Sequence, residues 1–201
     1  MNAITILIVD DHPLNVAGLD SLIHSTPGLQ RVAQATTAQQ AAELYRQFRP
    51  DVVITELCID TIEAVRDIDA NANIVVLTTC RGEEDVYRGL HAGARGYLLK
   101  DCTIEQLTAC IRAVAAGHKF VPPEVARKLA ERQMAARLSK REMEILAHLA
   151  TGKSNKLIAR SAEIEVGTVK FHVNNILAKL NVASRTEAAT VAARRGLLSA
   201  F

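Results

Sequence analysis

The first 120 residues constrain the fold most, because short apolar runs alternate there with segments of helical period. The apolar runs are residues 4–10, 31–35, 51–57, 73–79 and 96–100. They are rich in Val, Ile and Leu and barely alternate between apolar and polar, the mark of parallel strands buried on both faces. Between and after them, residues 13–24, 38–48, 62–70, 83–92 and 103–116 repeat their apolar positions at helical spacing. Pro13 suits a first helical turn, and Thr37 can cap the second helix. Strand and helix in strict alternation predict an α/β doubly wound, five-stranded parallel sheet over residues 1–120.

Val121-Pro122-Pro123 breaks this pattern. Residues 124–136 read as a polar-faced helix, so 121–137 form a linker. From Leu138 onward no strand-like run occurs. Helices are expected at 140–150, 155–161, 166–180 and 185–195, with Gly152 and Gly196 where C-terminal caps belong. Residues 138–201 are therefore expected to form a small all-α domain.

Charge divides the same way. Residues 1–120 hold 10 Lys and Arg against 15 Asp and Glu, whereas residues 138–201 hold 10 against 5. An acidic front and a basic back suggest two jobs, with nucleic acid a candidate partner for the back. No run of about 18 apolar residues appears, so no membrane span is expected. The N-terminus lacks a signal-peptide pattern and the 4 cysteines show no framework spacing; both fit a cytoplasmic protein with reduced thiols.

In an open parallel sheet, ligands bind at the carboxyl ends of the strands. Asp10 and Asp11 end the first expected strand, Glu56 the third, Thr78 the fourth and Lys100 the fifth. Any one of these alone reads as a solvated strand end. Together they offer three carboxylates for a hard cation such as Mg²⁺, with a lysine and a hydroxyl suited to a phosphoryl group.

The stretches ILIVDDHP (6–13), PDVVITEL (50–57), IVVLTT (74–79) and GARGYLLKD (93–101) resemble the receiver domain of two-component response regulators, a flavodoxin-like fold. The resemblance implies a phosphoacceptor at position 56, metal-binding acids at Asp10 and Asp11, a switch hydroxyl at Thr78, a switch aromatic at Tyr97 and a phosphate-contacting Lys100. Two departures stand out. The family carries aspartate where this chain has Glu56, and ELCIDTIEA runs almost directly into the next helix, without the family's Met-Pro and Asp-Gly pairs. The extra C–C bond carries the carboxylate about 1.5 Å further into the pocket. In-line transfer is sensitive to position, and a displacement of about 1 Å can cost on the order of 100-fold in rate. The trimmed loop also disturbs the backbone metal ligand that the family supplies at the position of Cys58. The expectation is that Glu56 is not phosphorylated. Either it sets a fixed negative charge near Lys100 and Thr78, or it is an inert acceptor in a domain kept for dimerisation; ordinary phosphorylation is the third reading. No cofactor is required by this reading, and the trimmed loop counts against Mg²⁺.

Cys58, Cys80 and Cys102 each lie two residues after a site position and are expected at the mouth of the same crevice. A redox- or metal-sensing cluster is one reading; small residues filling loop positions is the plainer one. Cys110 reads as ordinary helix packing.

In the basic half, SKREMEILAHLAT (139–151) forms an amphipathic helix with Ser139 and Glu142 as a capping box. On the helix 166–180, Val169, Val173, Ile176, Leu177 and Leu180 share one stripe, and Lys170, Phe171 and Asn174 lie opposite. An exposed phenylalanine beside lysine and asparagine suits a helix inserted in a DNA major groove; alone, the same face reads as solvated. LSKREMEILAHLATGKSNKLIA (138–159) and GTVKFHVNNILAKLNVASRTEAA (167–189) resemble the LuxR-type helix-turn-helix domain of NarL- and FixJ-like regulators. The resemblance implies base contacts from Lys170, Phe171 and Asn174, and phosphate contacts from Asn155, Lys156, Thr168 and Lys179. Departures are Glu165 where the family favours Thr or Ser as the helix cap, Gly167 early in the recognition helix, and Ala162 in place of a larger apolar residue.

The sequence thus points to a non-enzymatic regulator that binds double-stranded DNA as a homodimer, with no membrane partner and no sensor kinase identified by its residues. Two rivals are a phosphotransfer enzyme using Asp10, Asp11 and Glu56, and a receiver that serves mainly to capture a protein partner.

Overall fold

The computed structural model describes residues 3–56 and 59–198. The chain divides into two compact units, Met1–Cys80 with Val86–Arg127 and Arg81–Asp85 with Lys128–Phe201. In the first, five parallel strands form one sheet: β1 (Ile4–Val9), β2 (Leu29–Ala35), β3 (Val52–Thr55), β4 (Ile74–Thr78) and β5 (Gly96–Leu99). Their order is β2-β1-β3-β4-β5. The order reverses between β1 and β3, where a doubly wound sheet opens its ligand crevice.

The helices α1 (Pro13–Ser25), α2 (Ala38–Phe48), α3 (Ile59–Arg66), α4 (Glu83–Ala92) and α5 (Ile104–Ala115) follow the strands in turn. Successive strand side chains point to opposite faces. Ile6, Ile8, Val52, Ile54, Val75 and Leu98 meet Val16, Leu19 and Ile23 of α1 and Leu107, Ile111 and Val114 of α5. Leu7, Val53 and Val76, on the alternate positions, are also fully buried. This two-sided burial explains the near-continuous apolar runs. Gly96 is fixed by α5, because a Cβ there would lie 2.7 Å from Cys110 Sγ.

Thr37 accepts a hydrogen bond from Gln40 N, and Thr103 forms a full capping box with Gln106. Two expected boundaries are corrected. β2 begins at Leu29 rather than 31, since Gly28, at φ +83°, turns its carbonyl to Ile4 N and Leu29 enters the core. α3 spans Ile59–Arg66 rather than 62–70. Its last turn tightens, with Ile68 N and Asp69 N both donating to the Val65 carbonyl, and Asp69 then accepts from Asn71 N and from the Tyr45 hydroxyl.

A helix α6 (Pro123–Met134) occupies the expected linker. The second unit then carries α7 (Lys140–Ala150), α8 (Asn155–Ser161), α9 (Val166–Leu180) and α10 (Arg185–Arg194). Ile145, Leu146, Leu149, Ile158, Val169, Ile176, Leu180 and Ala188 form its core. Ser139 and Glu142 make the expected capping box, and Gly152 and Gly196 adopt left-handed φ just past α7 and α10. No described helix is long and apolar enough to cross a membrane.

Candidate functional sites

The strand ends bring the expected receiver residues together. Asp10 follows β1 and is 6% exposed. It accepts hydrogen bonds from His12 N at 2.8 Å and from Asn15 Nδ2 at 3.1 Å. Lys100, just past β5, places its ammonium 3.2 Å from Asp10 Oδ2 and 3.1 Å from Glu56 Oε1. One cation thus bridges the ends of β1 and β3 across the switch point. Burial works to raise the Asp10 carboxyl, but the His12 N–H, Lys100 and Asn15 together outweigh it and hold it below the usual aspartate range.

Asp11 is exposed and lies 2.8 Å from His12 Nδ1. Ligand atoms of Asp10, Asp11, His12 and Glu56 all fall within 4.8 Å of one another. The Asp10 and Asp11 carboxylates are of the kind that would hold Mg²⁺, which takes oxygen ligands and keeps several waters. The Lys100 ammonium already supplies positive charge between Asp10 and Glu56. Cys58 lies outside the described residues. His12 and Asn15 were missed from sequence; their signal is the DDHPLN string, in which the first turn of α1 folds back over Asp10.

Thr78 is fully buried, and its hydroxyl accepts from Cys80 N at 3.1 Å. Tyr97 is also fully buried and donates its hydroxyl to the Cys80 carbonyl at 3.1 Å. Both side chains therefore bond to Cys80, just after β4. Cys80 and Cys102 are partly buried free thiols. Burial, with the Asp101 charge, raises the Cys102 thiol, and burial pushes Cys110 up to about 12. These shifts favour protonated thiols over reactive thiolates.

In the helical unit, α8 and α9 are joined by a turn in which Glu163 takes a left-handed φ of 53°. At 3.6 residues per turn, Gly167, Lys170, Phe171, Asn174 and Ala178 fall within about 100° of one another around α9. All are exposed, and Phe171 is 61% exposed. Val169, Ile176 and Leu180 lie on the opposite, buried side. Lys156 and Thr168 are exposed, and Asn155 is half-buried at the start of α8. Glu165 is the N-cap of α9 and makes no capping bond.

Lys179 is engaged differently from its neighbours. Its ammonium lies 2.7 Å from Glu142 Oε2, whose side chain is 5% exposed. Burial pushes the Glu142 carboxyl up, but Lys179 and the Ser139 backbone and hydroxyl hold it below its ordinary range. The cap of α7 and the last turn of α9 are thereby joined by one carboxylate.

Comparison with known proteins agrees with both halves. Residues 6–112 match the response regulator receiver domain, and residues 136–192 match the bacterial regulatory proteins of the luxR family. The nitrate/nitrite response regulator protein NarP of Escherichia coli (strain K12) is 40% identical over 196 residues, covering 91% of each chain. The transcriptional regulatory protein LiaR of Bacillus subtilis (strain 168) is 34% identical, covering 98% of this chain and 100% of that one. Among solved structures, the response regulator ChrA of a heme-sensing two-component system is 34% identical over 98% of the chain, with a TM-score of 0.60. A complex of the response regulator RcsB with DNA shares the fold at 22% identity and a TM-score of 0.71.

Proposed function

We propose that this chain, which belongs to the LuxR family of two-component response regulators, controls transcription from the cytoplasm without phosphoryl transfer to Glu56. The recognition helix α9 enters the major groove as part of a homodimer on two half-sites. Lys170, Phe171 and Asn174 read bases, while Asn155, Lys156 and Thr168 hold the backbone.

The observation that carries the regulatory part is the ion pair between Glu56 and Lys100 at 3.1 Å. In the resemblance, Lys100 is the group that meets a phosphoryl oxygen. Here a carboxylate with one more methylene than aspartate already reaches that ammonium. Glu56 thus supplies a standing negative charge where a phosphoryl group would bring a transient one. No turnover of an acyl phosphate is expected, so the chain acts as a regulator and not as a phosphotransfer enzyme.

Intact-mass spectrometry of the full chain after incubation with acetyl phosphate and Mg²⁺ tests this. The expected result is an unmodified chain, with Glu56→Asp gaining the mass of one phosphoryl group. A stoichiometric acylphosphate on Glu56 would refute the proposal.

A further inference from the structure

Helix α8 has 7 residues, fewer than a helix needs to hold itself in water. Of these it buries Ile158 and Ala159. Two buried side chains press α8 onto the domain but leave its tilt free. Its first turn nevertheless carries Asn155 and Lys156. Asn155 has a short side chain, so its reach to a DNA phosphate depends on where the backbone lies.

Both ends of α8 are held from other helices. Arg185, at the start of α10, donates through Nη2 to the Lys153 carbonyl at 2.6 Å. Lys153 directly precedes Ser154, the N-cap of α8. Arg141, in the first turn of α7, donates through Nη2 to the carbonyl of Ala162, the C-cap of α8. Both arginines are partly buried. Their placement runs against the helix dipole, which disfavours a cation at an N-terminus. A charge-assisted bond to a carbonyl offsets this at each position. Each bond fixes a backbone carbonyl at one end of α8, and together they fix the direction of its axis.

We infer that Arg185 and Arg141 are positioning residues for DNA binding: they set the tilt of α8 so that Asn155 meets a phosphate, and they do not contact DNA themselves. This rests on the reading of α8 as a backbone-contacting helix. Arg185 is the stronger anchor for Asn155, because the carbonyl it holds belongs to Lys153, close in the chain, whereas Ala162 is at the far end of the helix. The rival role for an arginine in a basic domain is a direct phosphate contact, and the two differ in salt dependence. An arginine on phosphate adds about 0.9 to the slope of log K against log salt; one on a carbonyl does not.

The test is a double-mutant cycle on the full chain, with a duplex selected from a random pool by the wild type. Arg185→Met and Asn155→Ala should each weaken binding by about tenfold, the size of a hydrogen bond to a charged group. The double variant should also bind about tenfold more weakly than wild type, because Asn155 is already out of reach without Arg185. The salt slope should match the wild type throughout. A double variant weaker by about a hundredfold would make Arg185 independent of Asn155, and a slope reduced by about 0.9 would put Arg185 on phosphate. Wild-type affinity in Asn155→Ala, or in a folded Arg185→Met, would leave the arginine nothing to position. Each of these results overturns the inference. Amide spectra establish folding. If Arg185→Met does not fold, Arg141→Met goes through the same cycle with the same expectations; if neither folds, the arginines hold the domain together instead of aiming α8, and the inference falls. Failure of the wild type to select any duplex would remove the DNA-binding reading and this inference together, whereas an additive cycle leaves that reading standing.

Discussion

Replacing Lys179 by methionine separates a structural lysine from a DNA-contacting one. The Glu142 side chain is 5% exposed, and its Oε2 accepts from both Lys179 Nζ and Ser139 N, each at 2.7 Å. Removing one partner of a buried pair costs about 3–5 kcal/mol. Lys179 is 36% exposed, so water screens part of the interaction and the expected loss falls to roughly 1–2 kcal/mol. With a urea m-value of about 1 kcal/mol/M for so small a domain, the midpoint for the α7–α10 unit should fall by roughly 1–2 M. Urea unfolding of the full chain, followed through amide signals of α7 and α9, reads this directly. Adding Glu142→Gln should recover part of the loss, because the stranded charge is gone. The pH dependence has a defined sign. The Glu142 carboxyl is depressed in the folded state, so its contribution is present above the unfolded glutamate value of about 4.3. It is lost as pH falls through the folded pKa, and the gap between wild type and Lys179→Met should close in acid. An unchanged urea midpoint, with a log K against log salt slope reduced by about 0.9, would show that Lys179 serves phosphate instead.

Further outcomes follow from the recognition helix. Glu165→Ser supplies the missing cap on α9 and should stabilise the helical unit by about 1 kcal/mol. Gly167→Ala should add about 1 kcal/mol, since its Cβ meets nothing within 4 Å; thermal melts measure both, and a loss of stability would contradict them. Phe171 is expected to read a thymine 5-methyl group. Replacing single thymines by uracil in a selected duplex should therefore weaken binding at one position, and Phe171→Ala should erase that difference. If both duplexes bind the wild type equally at every position, Phe171 does not read the methyl.

The alternation of buried runs and helical segments made the sheet legible, because parallel strands leave little freedom in composition. Glu83–Ala92, Lys140–Ala150 and Val166–Leu180 begin and end where their periodicity does. What stayed hidden depends on partners distant in sequence. The segment after α3 is tied down by the hydrogen bond from Tyr45 to Asp69, 24 residues apart. Glu142 is legible as a capping residue, yet its second partner is 37 residues away. The acids of the crevice could be found from strand ends alone, whereas Asn15 joins them only because α1 folds its first turn back over Asp10. Lys100 was expected to meet a phosphoryl group. Its existing bond to Glu56 required the geometry of two strands.

The most direct test of a standing charge at Glu56 is the affinity of the full chain for a selected duplex, with and without acetyl phosphate, beside Glu56→Gln. The wild type should bind equally in both conditions, and Glu56→Gln should bind more weakly because the charge facing Lys100 from β3 is gone while Asp10 remains. Tighter binding by the wild type on addition of acetyl phosphate, or equal affinity of Glu56→Gln and wild type, would contradict the account.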